Sequence, residues 1–300
     1  MPTIHRIITH PRIFHADDVF AIATLRILYP DSEVIRETPK TEQPDADEIF
    51  VDVGGKYDHQ LGLYDHHQNS FKLEHTIVPS DEHAWPMASF GLIWKHFGNL
   101  ICQNTRLTNW VEENLVCWID AVDNGIATYP YGAPSLSTII QNFNNFPNMD
   151  QYQCFESAIA YAQTTILACI ARGHIESTTK AYLEERLAQT TGPILELDKE
   201  CPWSDSLMQL NTRRTCPILW VVYPRSDNTW GCQAVSRIET PFIPIQPFPA
   251  QWAGRVAQDL VVKSNIQDAI FCHKGRHLLI TASKQSALAA ARKHTPPSYM

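Results

Sequence analysis

Four short runs within the first 55 residues constrain what this chain can fold into. Ile4-His5-Arg6-Ile7-Ile8-Thr9 is brief and β-branched, as a strand is. From Asp17 to Leu28, Val19, Ala23 and Ile27, with Phe20, Leu25 and Leu28, recur at helical spacing, and Tyr29-Pro30-Asp31 stops the run. Glu33 to Arg36 reads as a second strand. Glu48 to Gly55 reads as a third, ending in Asp52 and a Gly-Gly turn. Strand, helix, strand and strand at this spacing predict an α/β unit with a parallel sheet. Ligands of such sheets gather beyond the carboxyl ends of the strands. His10, Asp52 and Asp65 to His67, within Tyr64-Asp65-His66-His67-Gln68, all fall at or just after strand ends.

The remainder of the chain continues in a mixed pattern. Met87–Cys102 and Thr105–Asn124 are expected helices, the second capped by Thr105 or Thr108 and closed by Gly125. Asn69–Pro86 is loop-like, 129–134 is turn-rich, and Asn144–Asp150 reads as a linker. Two long helices are expected over Gln151–Arg172 and Ile175–Gln189. Beyond Gly192-Pro193 strands dominate: Ile194–Leu197, Ile218–Tyr223, Trp230–Val235, Ala269–Cys272 and His277–Ile280, with a Pro-punctuated loop at 241–249 and a closing helix over Ser283–His294. This predicts an N-terminal parallel-sheet domain, residues 1–148, and a smaller C-terminal α+β domain, residues 149–300.

Composition narrows the function. The 300 residues are 44% hydrophobic and 19% charged, a globular balance. No apolar run is expected to span a bilayer, the first ten residues lack a signal-peptide core, and no membrane partner is expected. The eight cysteines form no CxxC pair, which argues against a zinc ribbon and for a reducing, cytosolic setting. Net charge is −8, and it is uneven. Residues 1–148 hold 9 Lys and Arg against 19 Asp and Glu; residues 149–300 hold 15 against 13. Nine of the 13 histidines lie in the first 100 residues. An acidic, His-rich first half suits metal binding better than a dedicated nucleic-acid surface, which needs clustered Lys and Arg.

The polar groups at strand ends and at the acidic helix end are His10, His15, Asp17, Asp52, Asp65, His66, His67, Asp120 and Asp123. Each singly is more readily an ordinary polar side chain than a ligand. As an ordered set they suit one or two divalent cations, with Asp52 a natural bridge at the middle. Imidazoles among carboxylates shift preference from Mg²⁺ toward Mn²⁺ or its transition-metal neighbours. Asp120 and Asp123 share a helical face at a C-terminal end, where carboxylates oppose the dipole and call for a compensating cation or a functional reason.

The ordered motifs Thr9-His10, Phe14-His15-Ala16-Asp17, Val51-Asp52-Val53-Gly54-Gly55, Tyr64-Asp65-His66-His67-Gln68 and Ile119-Asp120-Ala121-Val122-Asp123-Asn124-Gly125 resemble the melanocyte proliferating gene family of metal-dependent hydrolases, within the DHH phosphoesterase superfamily. The similarity extends to Trp252-Ala253-Gly254 and Phe271-Cys272-His273-Lys274-Gly275-Arg276 near the C-terminus. One departure is that His15 stands where relatives carry Asp, with the spacing one residue longer. The resemblance implies a catalytic N-terminal domain holding two Mn²⁺ ions, a C-terminal substrate domain, a cleft between them, and 3′–5′ RNA exonuclease activity. His10, His15, Asp17, Asp52, His66 and one of Asp120 and Asp123 would be metal ligands, Asp123 being favoured by its Asn-Gly context. Asp65, His67 and Arg276 would serve catalysis. His273, Gly275, Arg276 and Arg255 would contact substrate, a guanidinium gripping phosphate bidentately. The expected substrate is a nucleotide or short RNA, and a homodimer is left open. The alternatives are a small-molecule phosphatase or pyrophosphatase, favoured by the weak basicity, and a non-catalytic metal-binding protein.

Overall fold

The structure, a computed structural model, describes residues 3–76, 85–126 and 134–299. The turn expected at 129–134 falls, but for its last residue, outside the described residues, as do residues 77–84 of the expected 69–86 loop.

The first sheet follows from the β-branched runs. β1 (Arg6–Thr9) leads through α1 (Ala16–Leu28) to β2 (Glu33–Arg36), then β3 (Glu48–Val51). Two very short strands follow, β4 (Tyr57–Asp58), which the sequence pattern gave no sign of, and β5 (Leu63–Tyr64), which supplies the strand end expected ahead of Asp65. The order is β2-β1-β3-β5-β4, parallel except for β4 against β5. The chain leaves β1 toward β2 on one side and leaves β3 toward β5 on the other, so the exits diverge between β1 and β3. Such a divergence is where an open α/β sheet forms its ligand crevice. Alternation along the strands sends Ile7, Ile49, Val51 and Tyr64 into the main core, and Ile8, Phe50 and Leu63 into a smaller cluster on the opposite face.

Helices cover the main face. α2 (Ser89–Cys102) packs on α1 through Phe90 against Phe20, ring centroids 5.5 Å apart. α3 (Thr105–Val111) runs through a π-helical turn, Glu112–Val116, into α4 (Cys117–Asp123). Its N-cap is Asn104, which accepts the Leu107 N–H, rather than either threonine. Gly125 takes the left-handed conformation that closes α4, with φ 69°. α5 (Leu136–Phe143) follows.

α6 (Gln151–Ala188) is one 38-residue helix where two were expected. Gly173 does not break it. A β-carbon there would lie 2.5 Å from Trp110 Cε3, so the glycine admits a close ring rather than a turn. By length and composition alone α6 is apolar enough to cross a membrane, against the expectation that no run would be. Its Phe155, Ala158, Ile159, Ala162 and Ile166 are buried in the first core, which accounts for much of that apolarity. The same packing shifts the domain boundary. The chain divides into units Met1–His174 and Ile175–Met300, rather than at 148/149, because the first half of α6 belongs to the first core.

The second unit is mixed. After β6 (Ile194–Glu196) come α7 (Ser204–Asn211), β7 (Trp220–Pro224), β8 (Trp230–Ala234), β9 (Ser236–Arg237) and β10 (Thr240–Pro244). α8 (Ala257–Ser264), β11 (Ala269–Cys272), β12 (Leu278–Thr281) and α9 (Lys284–Lys293) complete it. The sheet order is β11-β12-β8-β7-β6, with only β6 and β7 parallel. Half of the expected 241–249 loop is β10, paired with β9 despite its prolines. α7 and α8 had no counterpart in the sequence reading. Ser283 caps α9 through its hydroxyl, as its residue type predicts.

Candidate metal centre

Three neighbouring strands deliver the site. Thr9 ends β1, Val51 ends β3 and Tyr64 ends β5, so His10, Asp52 and Asp65–His67 emerge side by side. Asp52 holds φ 55°, a left-handed conformation uncommon outside glycine, while its N–H still donates to the Tyr64 carbonyl at 2.9 Å. Such strain persists only where surrounding bonds hold it, and it concentrates at functional sites.

α1 and α2 bring the remaining groups. Asp17 and Asp18 occupy the first turn of α1, where the dipole favours carboxylates. Asp18 accepts the His15 N–H at 2.8 Å. Asp17 is buried and accepts the N–H groups of Ser89 at 3.0 Å and Phe90 at 2.6 Å, at the start of α2. The Ser89 hydroxyl donates to Asp52 Oδ1 at 3.0 Å. Ser89 thereby ties Asp17 to Asp52.

The centre of the cluster is His66. Its Nε2 lies 3.3 Å from Asp123 Oδ2, 3.6 Å from Asp52 Oδ1 and 3.9 Å from Asp17 Oδ2. It is nonetheless buried without a hydrogen-bond partner, as is Asp18 Oδ2. Two groups of three possible ligand atoms, each within 4.8 Å of one another, share this imidazole: Asp52–His66–His67 and Asp17–His66–Asp123. His10 Nε2 stands 3.3 Å from Asp18 and 3.5 Å from Asp52.

The electrostatics point the same way. Burial, then the charges of Asp52, Asp123 and Asp120, hold the Asp17 carboxyl well above the usual carboxylate range. Burial and then Asp18 push Asp52 up to about 6. The close approach of Asp18, 3.3 Å from Nε2, raises His10 to about 9 against the cost of burial. For His66 burial opposes the charged form, but Asp123 and Asp52 outweigh it and the pKa rises. Buried carboxylates that resist ionisation and an unpartnered imidazole nitrogen describe a site short of positive charge. A divalent cation with mixed N/O ligands meets that deficit, and the donors suit Mn²⁺ or a neighbour at least as well as Mg²⁺.

Other expected residues take different duties. Asp65 accepts the His67 N–H at 3.0 Å, the His67 Nδ1 at 2.8 Å and the Gly55 N–H at 2.6 Å. Burial opposes its charge, but these donors hold its pKa below the ordinary value. Asp65 therefore orients His67, whose side chain is 64% exposed with Nε2 left for a ligand. Asp120 turns to His75, accepting its Nε2 at 2.9 Å, the Ala88 N–H at 2.8 Å and the Gly91 N–H at 3.2 Å. It belongs to neither ligand group, whereas Asp123 belongs to one. The exposed His15 ring sits 6.0 Å from that of His10, outside both groups.

In the second unit, Gly275 passes between His273 and His277, whose rings are 4.2 Å apart, and its N–H donates to His273 Nδ1 at 3.0 Å. The left-handed position of this turn is Arg276, φ 58°, and its guanidinium donates to the Phe248 carbonyl at 3.3 Å. Arg255 is paired with Asp259 one helical turn on, which competes with the phosphate contact expected of it.

Sequence reasoning missed Asp18, Ser89 and His75. Asp18 had a signal, since it stands beside Asp17 at the same helix start. Ser89 and His75 had none, because their roles arise from pairings 37 and 45 residues away along the chain.

The family model MYG1_exonuc, described as "Uncharacterised protein family (UPF0160)", matches residues 6–294. The MYG1 exonuclease of Homo sapiens is 32% identical over 319 residues, covering 96% of this chain and 85% of that protein. The MYG1 protein of Dictyostelium discoideum is 28% identical over 323 residues, covering 96% and 95%. Among solved structures, a RecJ exonuclease bound to manganese is 13% identical, covering 97% of this chain and 91% of that one, at a TM-score of 0.26. The Thermus thermophilus RecJ in complex with Mg²⁺ is 11% identical, covering 97% and 50%, at 0.27. Those scores are too low to bear on fold or chemistry, and the sequence matches stand without them. Matched almost from end to end by one family model and by full-length relatives, the chain belongs to the MYG1 exonuclease family.

Proposed function

We propose that this chain is a divalent-metal-dependent phosphodiesterase of the DHH type that removes nucleotides from the 3′ ends of short RNA. One observation carries the reading: two three-residue ligand groups meet at His66, whose buried Nε2 has no hydrogen-bond partner. Family membership supports a nuclease, and the names of the mammalian relatives support an exonuclease.

Asp17, Asp52, His66 and Asp123 would hold the metal, with His10 and Asp18 beside them and His67 facing the substrate. When bound, a divalent cation supplies a Lewis acid that eases deprotonation of water and neutralises charge on the phosphoryl oxygens. The protein's own contribution is orientation. Ser89 fixes Asp52 against Asp17, and Asp65 fixes the His67 ring through Nδ1, leaving Nε2 to meet a phosphate oxygen as charge develops. His273 and Arg276 of the second unit are our candidates for further phosphate contacts. We favour Mn²⁺ for the mixed donor set and a cytosolic location for eight unpaired thiols.

Hydrolysis of a 5′-labelled short RNA, of a generic phosphodiester and of pyrophosphate, each with Mn²⁺, tests this. Stepwise shortening from the 3′ end, absent in Asp52→Ala and His66→Ala, is the expected result. Turnover of the small substrates alone would favour the phosphatase reading, to which the acidic first half of the chain lends weight. Salt separates the two: a polymer substrate gives a steep dependence and a small ester a shallow one.

A further inference from the structure

A cavity of about 350 Å³ borders the β1–α1 loop, and the chemistry above makes no use of it. Arg12 and Ile13 line it from that loop, Gln141, Asn144 and Asn145 from the end of α5, and Gln151 from the first turn of α6. All six lie in the first unit. Arg12 is two residues from His10, so their Cα atoms are at most roughly 7.6 Å apart, from 3.8 Å per residue. The cavity therefore borders the loop that carries His10.

The lining side chains divide into those engaged and those available. Asn144 is engaged: its Oδ1 accepts the Phe14 N–H at 3.1 Å and its Nδ2 donates to the Phe14 carbonyl at 2.9 Å, fastening the loop to α5. Gln151 donates to the Asn144 carbonyl at 2.9 Å. The side chains of Gln141, Asn145 and Arg12, by contrast, make no hydrogen bond or ion pair among the described residues. Arg12 also holds φ 75°, a left-handed conformation that is rare for arginine, and its carbonyl accepts from the Arg36 guanidinium. Ile13 is 59% exposed beside it.

Two uncommitted primary amides, one uncommitted guanidinium and one exposed aliphatic side chain match the parts of a nucleotide. Amides offer donors and acceptors together, as a base edge requires; a guanidinium grips phosphate; an aliphatic surface covers a base face. The volume lies at the small end of ligand pockets, about 300–1,000 Å³. We propose that this cavity is a nucleotide subsite, in which Gln141 and Asn145 contact the base edge, Ile13 its face and Arg12 a phosphate. The proposal rests on the nuclease reading and deepens it, by naming what holds a nucleotide next to the phosphate to be cleaved.

The test is equilibrium binding of AMP, CMP, GMP and UMP, against ribose 5-phosphate, to the full chain in EDTA. At least one nucleotide should bind about tenfold tighter than ribose 5-phosphate, the worth of one or two net hydrogen bonds. In the Gln141→Ala/Asn145→Ala double variant that gap closes, with ribose 5-phosphate affinity retained. Arg12→Ala weakens nucleotide and ribose 5-phosphate alike. The shape-conserving Gln141→Glu/Asn145→Asp variant, which removes the amide donors, changes which base binds best. Equal binding of nucleotides and ribose 5-phosphate by the unsubstituted chain overturns the subsite, and so does a gap that survives both double variants. Mn²⁺-dependent hydrolysis by the unsubstituted chain is read in parallel. A base-dependent gap without cleavage would sink the nuclease reading alone, and cleavage without the gap would sink the subsite alone.

Discussion

The first unit contains two histidine–carboxylate clusters built from the same residue types, and they differ in satisfaction. At His75, Nδ1 lies 3.0 Å from Glu112, Nε2 lies 2.9 Å from Asp120, and the side chain is wholly buried. Asp120 also receives two backbone N–H groups from the start of α2. Burial opposes charge on His75, but the two carboxylates outweigh it and raise its pKa to about 9. Every group there has a partner inside the protein. At His66, three carboxylates crowd a ring nitrogen that hydrogen-bonds to none of them. Burial raises the carboxyl pKa in both clusters, at Asp120 as at Asp17 and Asp52, so the clusters differ in partners and not in ionisation. A cluster that balances itself has the character of a structural support, while one left unbalanced has the character of a ligand site.

The contrast can be broken most decisively at His66. His66→Ala should lower Mn²⁺ affinity, measured by titration calorimetry, by more than the roughly 10–100-fold typical of outer-shell changes, and hydrolysis should fall to background. Folded stability in EDTA should change little. A variant that keeps full Mn²⁺ affinity would remove His66 from the site.

His75→Ala should do the reverse. It leaves Asp120 buried without its cation, a loss of about 3–5 kcal/mol in urea unfolding. The pH dependence has a definite sign. The folded pKa of about 9 lies above the ordinary 6.5, so the stabilisation is complete below pH 6.5 and is lost as pH rises through about 9. His75→Gln should flatten that slope, and an unchanged slope would mean that His75 carries no charge.

Asp52→Asn sharpens the comparison further. The carboxyl is raised to about 6, so its ionised form opposes folding at neutral pH. Asparagine tolerates the left-handed backbone and can still accept from Ser89. The variant should therefore be inactive yet more stable in EDTA by about 1–3 kcal/mol, following 1.4 kcal/mol per pKa unit. Destabilisation instead would show that Asp52 is balanced without metal.

The smallest effect belongs to Ser89→Ala. It removes the hydroxyl from Asp52 but keeps the N–H on Asp17, so Mn²⁺ affinity should drop about 10–100-fold while Ser89→Thr restores part of it. Equal affinity in Ser89→Ala and the unsubstituted chain would reduce Ser89 to a packing residue.

The legible parts of this protein were those governed by neighbours in sequence. Short β-branched and apolar runs marked β1, β3, β7 and β8, helical spacing marked α1 and α2, and Ser283 and Gly125 marked helix ends. The placement of His10, Asp52 and His66 at strand ends was legible too, because a parallel sheet presents its strand ends together. Local signals also misled. Two helices were expected on either side of Gly173, but the helix runs through it, and tertiary contact with Trp110 explains the glycine. The prolines at 241–249 looked like loop, yet part of that stretch pairs as β10.

The amino-acid sequence by itself determined the chemistry available: a parallel-sheet unit whose strand ends carry imidazoles and carboxylates, in the order that marks the family. Only the tertiary structure decided which of those groups work together. Asp120 and Asp123 sit three residues apart on one helix, and only the family's Asn-Gly context favoured Asp123, without a physical reason for the choice. Across the fold, His75 meets one and His66 the other. Partners 45 and 57 residues distant in the chain set the local charge balance, and that balance leaves His66, not His75, open to a metal.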